Sequence, residues 1–190
     1  MTDHYFDCES FSKIDFTKTR IKKGEYENCT FTNCNFENVH ASNIQFIDCH
    51  FMDCNFSNAQ LKNTAFKEVS FVRCKMIGLK MHECDPFLLA LNFRDCLLNF
   101  SSFYQLKIPK TQFVNCQLAS VDFTETDLKM ANFDDSDLKN AIFDKSNLEK
   151  ANFRTSINFY IDPENNFLKG ALFSKENVLG LLQKYKIVIE

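Results

Sequence analysis

The chain has no tryptophan, and only four glycines and three prolines among 190 residues. A fold rich in irregular loops would use more of both at its turns. The scarcity predicts bends built from ordinary side chains. There is no basic excess either: the net charge is −3, which removes the electrostatic case for direct nucleic-acid binding. No apolar run approaches the ~18 residues of a membrane span. The opening MTDHYFDCES lacks the basic and apolar segments of a secretory leader. Nine cysteines, an odd number without an export signal, predict a cytoplasmic protein with reduced thiols. No Gly-rich phosphate loop is present, and His4, His40, His50 and His82 have no paired nucleophile. The expectation is a non-enzymatic protein without cofactor or metal.

What is abundant is phenylalanine, 22 of them, and their spacing organises the chain. Large apolar residues recur every five positions, as in Phe6, Phe11, Phe16, Ile21, Tyr26, Phe31 and Phe36, and onward to Met81. The register slips by two residues around HECDPFL. It resumes as Leu88, Phe93, Leu98, Phe103 and Ile108 and runs to Phe153, with Leu168 and Phe173 in the same register. The two registers hold 18 of the 22 phenylalanines, where chance would place about a fifth, so the repeat is the principal signal.

A second column lies two residues before each centre and is nearly all small. It holds Cys29, Cys34, Cys49, Cys54 and Cys74 in the first half, and Cys96, Ser101, Cys116, Thr126, Ser136 and Ser146 in the second. Small and large residues two apart, both inward, make a short extended segment. A corner must follow, because the next pair comes five residues on. Four segments close a coil of about 20 residues, and stacked coils satisfy their backbone groups by strand-like bonding ~4.8 Å apart. Phe93, Phe113, Phe133, Phe153 and Phe173 form one expected ladder and Leu98, Leu118 and Leu138 another. Zinc ligation by Cys29, Cys34, Cys49 and Cys54 fits poorly, since their spacing is not that of zinc knuckles. Equivalent positions also hold Ala, Thr, Ser and Val. A thiol is a small, largely apolar group that tolerates burial, so these cysteines are expected in the core, with Cys8 exposed.

The stretch ANFDDSDLKNAIFDKSNLEKANF, residues 131 to 153, resembles the A-(D/N)-L/F-x-x motif of the pentapeptide repeat family. That resemblance implies an all-β solenoid, a right-handed quadrilateral parallel β-helix. It is expected over residues 1–173, with a break at INFYIDPENNF (157–167) that reads as a protruding loop or a linker.

Residues 174–190 change period and are expected to form a short C-terminal α-helix and strand. Ser174 is the N-cap, with Asn177 three residues on, and KIVIE is the strand. Folding back as a cap and pairing with a second chain are both open. The pairing surface would comprise Val178, Leu179, Leu181, Leu182, Tyr185, Ile187 and Ile189.

Acidic residues crowd the second half: Asp122, Glu125, Asp127, Asp134, Asp135, Asp137 and Asp144. Spaced along a rod, such charges would imitate the field of duplex DNA. The end LKGALFSKENVLGLLQKYKIVIE is similar to the last repeat and tail of the Qnr and MfpA quinolone-resistance branch of the family. That similarity implies a homodimer joined through its C-termini that resembles DNA and binds DNA gyrase or topoisomerase IV. Lys129, Lys139, Lys145 and Lys150 interrupt the acidic region. The alternative is a rigid scaffold for an unrelated protein partner.

Overall fold

The computed structural model describes residues 4–188. The chain winds as a quadrilateral parallel β-helix, the all-β solenoid expected. Two sides of the lower coils are strands. On one side β1 (His4–Asp7), β3 (Gly24–Glu27), β5 (Gln45–Ile47) and β7 (Ala65–Lys67) stack in that order. On the next side lie β2 (Ser10–Ser12), β4 (Thr30–Thr32), β6 (His50–Met52), β8 (Val69–Val72), β9 (Leu91–Arg94) and β10 (Gln112–Val114). All pairings are parallel. Tyr26 faces Phe46 and Phe31 faces Phe51, which is the 20-residue coil. The remaining sides are tight turns joined by single bridges, such as Asn35 to Asn55 to Lys75 to Leu97.

Inside, the ring ladder follows the repeat. Phe93, Phe113, Phe133, Phe153 and Phe173 stack with centroids 4.8–5.3 Å apart. Neighbouring ladders meet edge-on, as Phe103 does Phe113 at 88°; both arrangements are favoured by ring quadrupoles. The small column does more than save space. The Cys49 thiol donates to the Tyr26 carbonyl and the Cys74 thiol to that of Phe51. The Ser136, Ser146 and Thr126 hydroxyls do the same to Phe113, Phe123 and Phe103 at 2.7–2.9 Å. Each bond runs 23 residues back, to a carbonyl of the coil below. Cysteine, serine and threonine thus share one task, giving a buried carbonyl a donor. Among the described residues no group of three or more His, Cys, Asp or Glu could hold a metal ion.

The corners explain the missing glycines. At most corners one non-glycine residue takes φ between 50° and 65°, from Asn28, Asn33 and Asn38 to Gln105, Lys110 and Met130. Asparagine and aspartate accept this left-handed conformation most readily, and the lower coils use them heavily. Glycine is demanded at Gly24, where a Cβ would lie 1.9 Å from the His4 carbonyl oxygen.

Three expectations need correction. The two inserted residues fall between Asp85, which bridges Ala65, and Leu91, which pairs with Val69. There Leu88 keeps the register but points outward, 65% exposed, and Leu89 is buried in its place. The chain had to step one residue to accommodate the longer coil. Residues 157–167 neither protrude nor link: Asp137 bridges Ile157 and Asn147 bridges Phe167, so the coil keeps its length. Phe159 and Ile161 fill its interior, and Asp162–Asn165 is its turn.

The tail forms two 3₁₀ segments, Val178–Leu181 and Gln183–Tyr185, not an α-helix. Gly180 presses on the Phe159 ring and its carbonyl accepts the Ile161 N–H. That anchorage and the short length favour i→i+3 bonding. Residues 186–188 are in no strand, and the rest of the expected KIVIE strand lies outside the described residues.

Candidate functional site

The seven acidic residues grouped along the chain do not share one side. Asp122 stacks with Ser102 and Ile142, Asp127 with Lys107 and Asn147, and Asp137 with Gln117 and Ile157. Asp134 and Asp135 follow Asn132 on the fourth side. Acids five residues apart turn a corner, whereas residues 20 apart meet. Asp122, Glu125 and Asp144 are brought together on one side; the others are spread around the rod.

Several of these carboxylates also build the fold. The Thr124 N–H donates to Asp122 Oδ1 at 2.9 Å, the Lys129 N–H to Asp127 at 3.1 Å, and the Lys139 N–H to Asp137 at 3.0 Å. Asn147 and Asn158 amides donate to the Asp127 and Asp137 carboxylates from the next coil. Asp134 accepts from Asn152 and Thr155, and Glu125 from Gln105. Asn35, Asn55, Asn132, Asn147 and Asn152 close the same two-residue turn without a charge. Aspartate at these positions therefore has a structural cause as well as an electrostatic one.

Asp144 borders a groove of about 530 Å³ between the upper coils and the tail, lined by Ile142, Tyr160, Asn165 and Gln183. Ile142 and Tyr160 are both exposed. This is a place where a partner's side chain can seat against apolar surface beside a carboxylate.

The tail has two sides. Leu181 packs on the core and Val178 and Leu182 are half-buried, while Leu179, Tyr185 and Ile187 are exposed; Ile189 lies outside the described residues. Ser174 and Asn177 bond reciprocally, the Asn177 N–H to the Ser174 hydroxyl and the Ser174 N–H to the Asn177 side-chain Oδ1. The Asn177 amide then donates to the Phe153 and Ser156 carbonyls at 2.6 and 3.0 Å, closing the top of the backbone ladder. Lys184 Nζ sits 2.6 Å from both Asp162 and Glu164. Its bond to Asp162, reinforced by Glu164, holds the ammonium well above its usual range, and the lysine depresses both carboxyls in return. The chain's order gave no sign of Lys184, because its partners lie a coil away.

The thiols are core, as their column implied. Cys29 to Cys116 are buried and Cys8 is exposed. Burial raises the Cys49 thiol to about 12, which leaves it unreactive near neutrality.

This geometry defines a pentapeptide-type β-solenoid, and comparison with known proteins agrees. The model of the pentapeptide repeat region matches residues 24–86 and 87–153, so the chain belongs to the pentapeptide repeat family. No curated protein matches. Among solved structures, a trypsin-treated form of QnrB1, a plasmid-mediated fluoroquinolone resistance protein, is similar over 98% of this chain and 92% of its own. The TM-score there is 0.74 at 12% identity. A second trypsin-treated form matches 98% of this chain and all of its own, with TM-score 0.63 and 13% identity. These likenesses establish the fold. Among the described residues, no helix is long and apolar enough to cross a membrane.

Proposed function

We propose that this protein is a non-enzymatic binding rod whose partner is a type II topoisomerase, DNA gyrase or topoisomerase IV. In this reading it protects that enzyme from quinolones by occupying part of its DNA site. The observation carrying the proposal is the near-complete coverage of the chain by the fold of a fluoroquinolone resistance protein. Asp122, Glu125 and Asp144, aligned on one side beside the apolar groove, supply negative charge along the rod axis, with Asp127, Asp134, Asp135 and Asp137 on the other sides. The exposed tail residues Leu179, Tyr185 and Ile187, with Leu182, join two rods end to end. Cytoplasmic residence accords with this role.

The test is a gyrase supercoiling assay with and without a fluoroquinolone. Protection is expected, and it should fall when Asp122, Glu125 and Asp144 are changed to Asn or Gln. Absence of any effect on gyrase and topoisomerase IV overturns the target. It would favour the second reading, a scaffold for an unrelated protein, which the lysines scattered among the acids support. Leu182→Glu should halve the mass in solution; an unchanged mass removes the tail from the interface.

A further inference from the structure

One side of the rod carries a charge pattern that the proposed function does not use. It is the side of β1, β3, β5 and β7, continued through Asp85 to Lys107, Asp127, Asn147 and Phe167. Its lower end presents Asp7, Glu25, Glu27, Asp48 and Glu68, with Lys67 among them and Lys23 at its edge. Its upper end presents Lys107, Lys110, Lys129, Lys150 and Lys169. Two carboxylates lie among those lysines, Asp127, which closes its own turn, and Glu149, which pairs with Lys129 at 2.9 Å; both keep their charge, so this end is basic by the excess of lysines over carboxylates. At the midpoint Asp85 accepts the Phe87 N–H at 2.9 Å, and beside it, in the two-residue insertion, Phe87 and Leu88 stand 66% and 65% exposed. Lys67 and Glu68 from below and Pro109 and Lys110 from above share one groove with Leu88, so the side is continuous through the insertion.

An acidic end, an apolar middle and a basic end make a surface complementary to itself when inverted. We infer that this side is an interface with a second copy of the chain, the two rods lying antiparallel about a two-fold axis through Phe87 and Leu88. Counting coils outward from that axis brings Glu68 to Lys107 and Lys110 of the second copy. Asp48 meets Lys129, Glu27 meets Lys150, and Asp7 meets Lys169. The contact runs on the order of 40 Å at ~4.8 Å per coil. The apolar pair supplies the water-excluding centre and the charges fix the direction. Parallel rods would set acid on acid and lysine on lysine. An isologous contact of this kind closes at two.

The adjoining side runs the other way, with Arg20, Lys22, Lys62 and Lys80 below and Asp122, Glu125 and Asp144 above. It would meet the first side only between parallel rods, a heterologous contact that continues to grow. With the tail contact removed by Leu182→Glu, species larger than a dimer that increase with concentration would therefore overturn the inference.

The decisive experiment is sedimentation equilibrium in the Leu182→Glu background, which removes the proposed tail contact, at micromolar protein in low and high salt. A salt-sensitive dimer is expected. Reversing three lysines (Lys110→Glu, Lys129→Glu, Lys150→Glu) should weaken it about tenfold or more. Reversing three acids (Glu27→Lys, Asp48→Lys, Glu68→Lys) should do the same. An equimolar mixture of the two variants should associate again, because each then supplies what the other lacks. A monomeric parent, variants that dimerise like the parent, or a mixture that gains nothing overturns the interface. Circular dichroism checks that the variants fold. Independently of them, Leu88→Cys should cross-link to itself on mild oxidation, since both copies of position 88 meet on the axis. Failure to form that disulfide dimer also overturns it.

Discussion

Below residue 95 two sides of the rod are strands; above it, apart from β10, every side is a tight turn. Both halves carry the same five-residue period, the same inward phenylalanines and the same left-handed corner residue. They differ in the residue just before the centre. Strand sides have Glu25, Thr30, Gln45, His50, Ala65 or Ser70 there. The upper turns have Asp122, Asp127, Asn132, Asp137, Asn147 and Asn152, whose side-chain oxygens accept the N–H two residues on. A side-chain acceptor competes with the extended backbone and tightens the bend. Asn92, in β9, spends its oxygen on the Gln112 N–H of the next coil instead, and its side stays extended. One interior therefore tolerates two outer geometries, chosen side by side.

The interior should fail alike in both halves. Phe51→Ala below and Phe133→Ala above should each cost about 3–5 kcal/mol, seen in urea denaturation followed by circular dichroism. Phe56→Asp should prevent folding, while Asn58→Asp, at an exposed corner of φ 54°, should leave the transition in place. A large difference between the two alanine variants would show that the halves do not share one core.

The inner donors should separate the halves. Ser136→Ala orphans the Phe113 carbonyl, at a cost of about 1–3 kcal/mol. Cys74→Ala removes only a weak thiol donor and should cost less. Thermal melts of the pair test this, and equal losses would mean that volume alone governs the column.

The outer turn is next. Asp127→Asn keeps the acceptor and drops the charge, so stability should hold while any charge-dependent binding weakens. Asp127→Ala loses the turn bond and should cost about 1 kcal/mol, as at a helix N-cap; Thr30→Ala, on a strand side, has no such bond to lose. If Asp127→Ala melts with the parent, the turn bond is not what tightens the upper half.

The smallest effect concerns the tail. Asp162 and Glu164 are depressed in the folded state, so their contribution is complete above the unfolded carboxyl range near 4. It fades as pH falls through their lowered values. Tyr185, bonded to Glu164 at 3.0 Å, should change its NMR signals on acidification before the coils unfold. Lys184→Met should produce the same change at neutral pH, and a tail indifferent to both is held by Asn177 and Gly180 alone.

Four phenylalanines lie off the two registers, and three of them, Phe87, Phe100 and Phe167, are the exposed ones. Phase alone thus separates inward from outward phenylalanine. It fails at Phe159, buried where the repeat is broken, and at Leu88, exposed where the coil is longer. In both places the chain shifted to keep its backbone bonded to the coil below. The candidate site was less legible. Its acids were visible along the chain, but neither their scatter over four sides nor their turn bonds were.

The sequence by itself determined the period, the coil length, the inward column of rings and the membership in a repeat family. A five-residue spacing of large and small side chains admits few ways to bury them. Only the tertiary structure decided which outward residues are neighbours. Contacts on the surface run between residues about 20 apart, through the stacking of coils, and nothing local encodes them. That stacking aligned five acids below and five lysines above on one side, and brought Lys184 to Asp162.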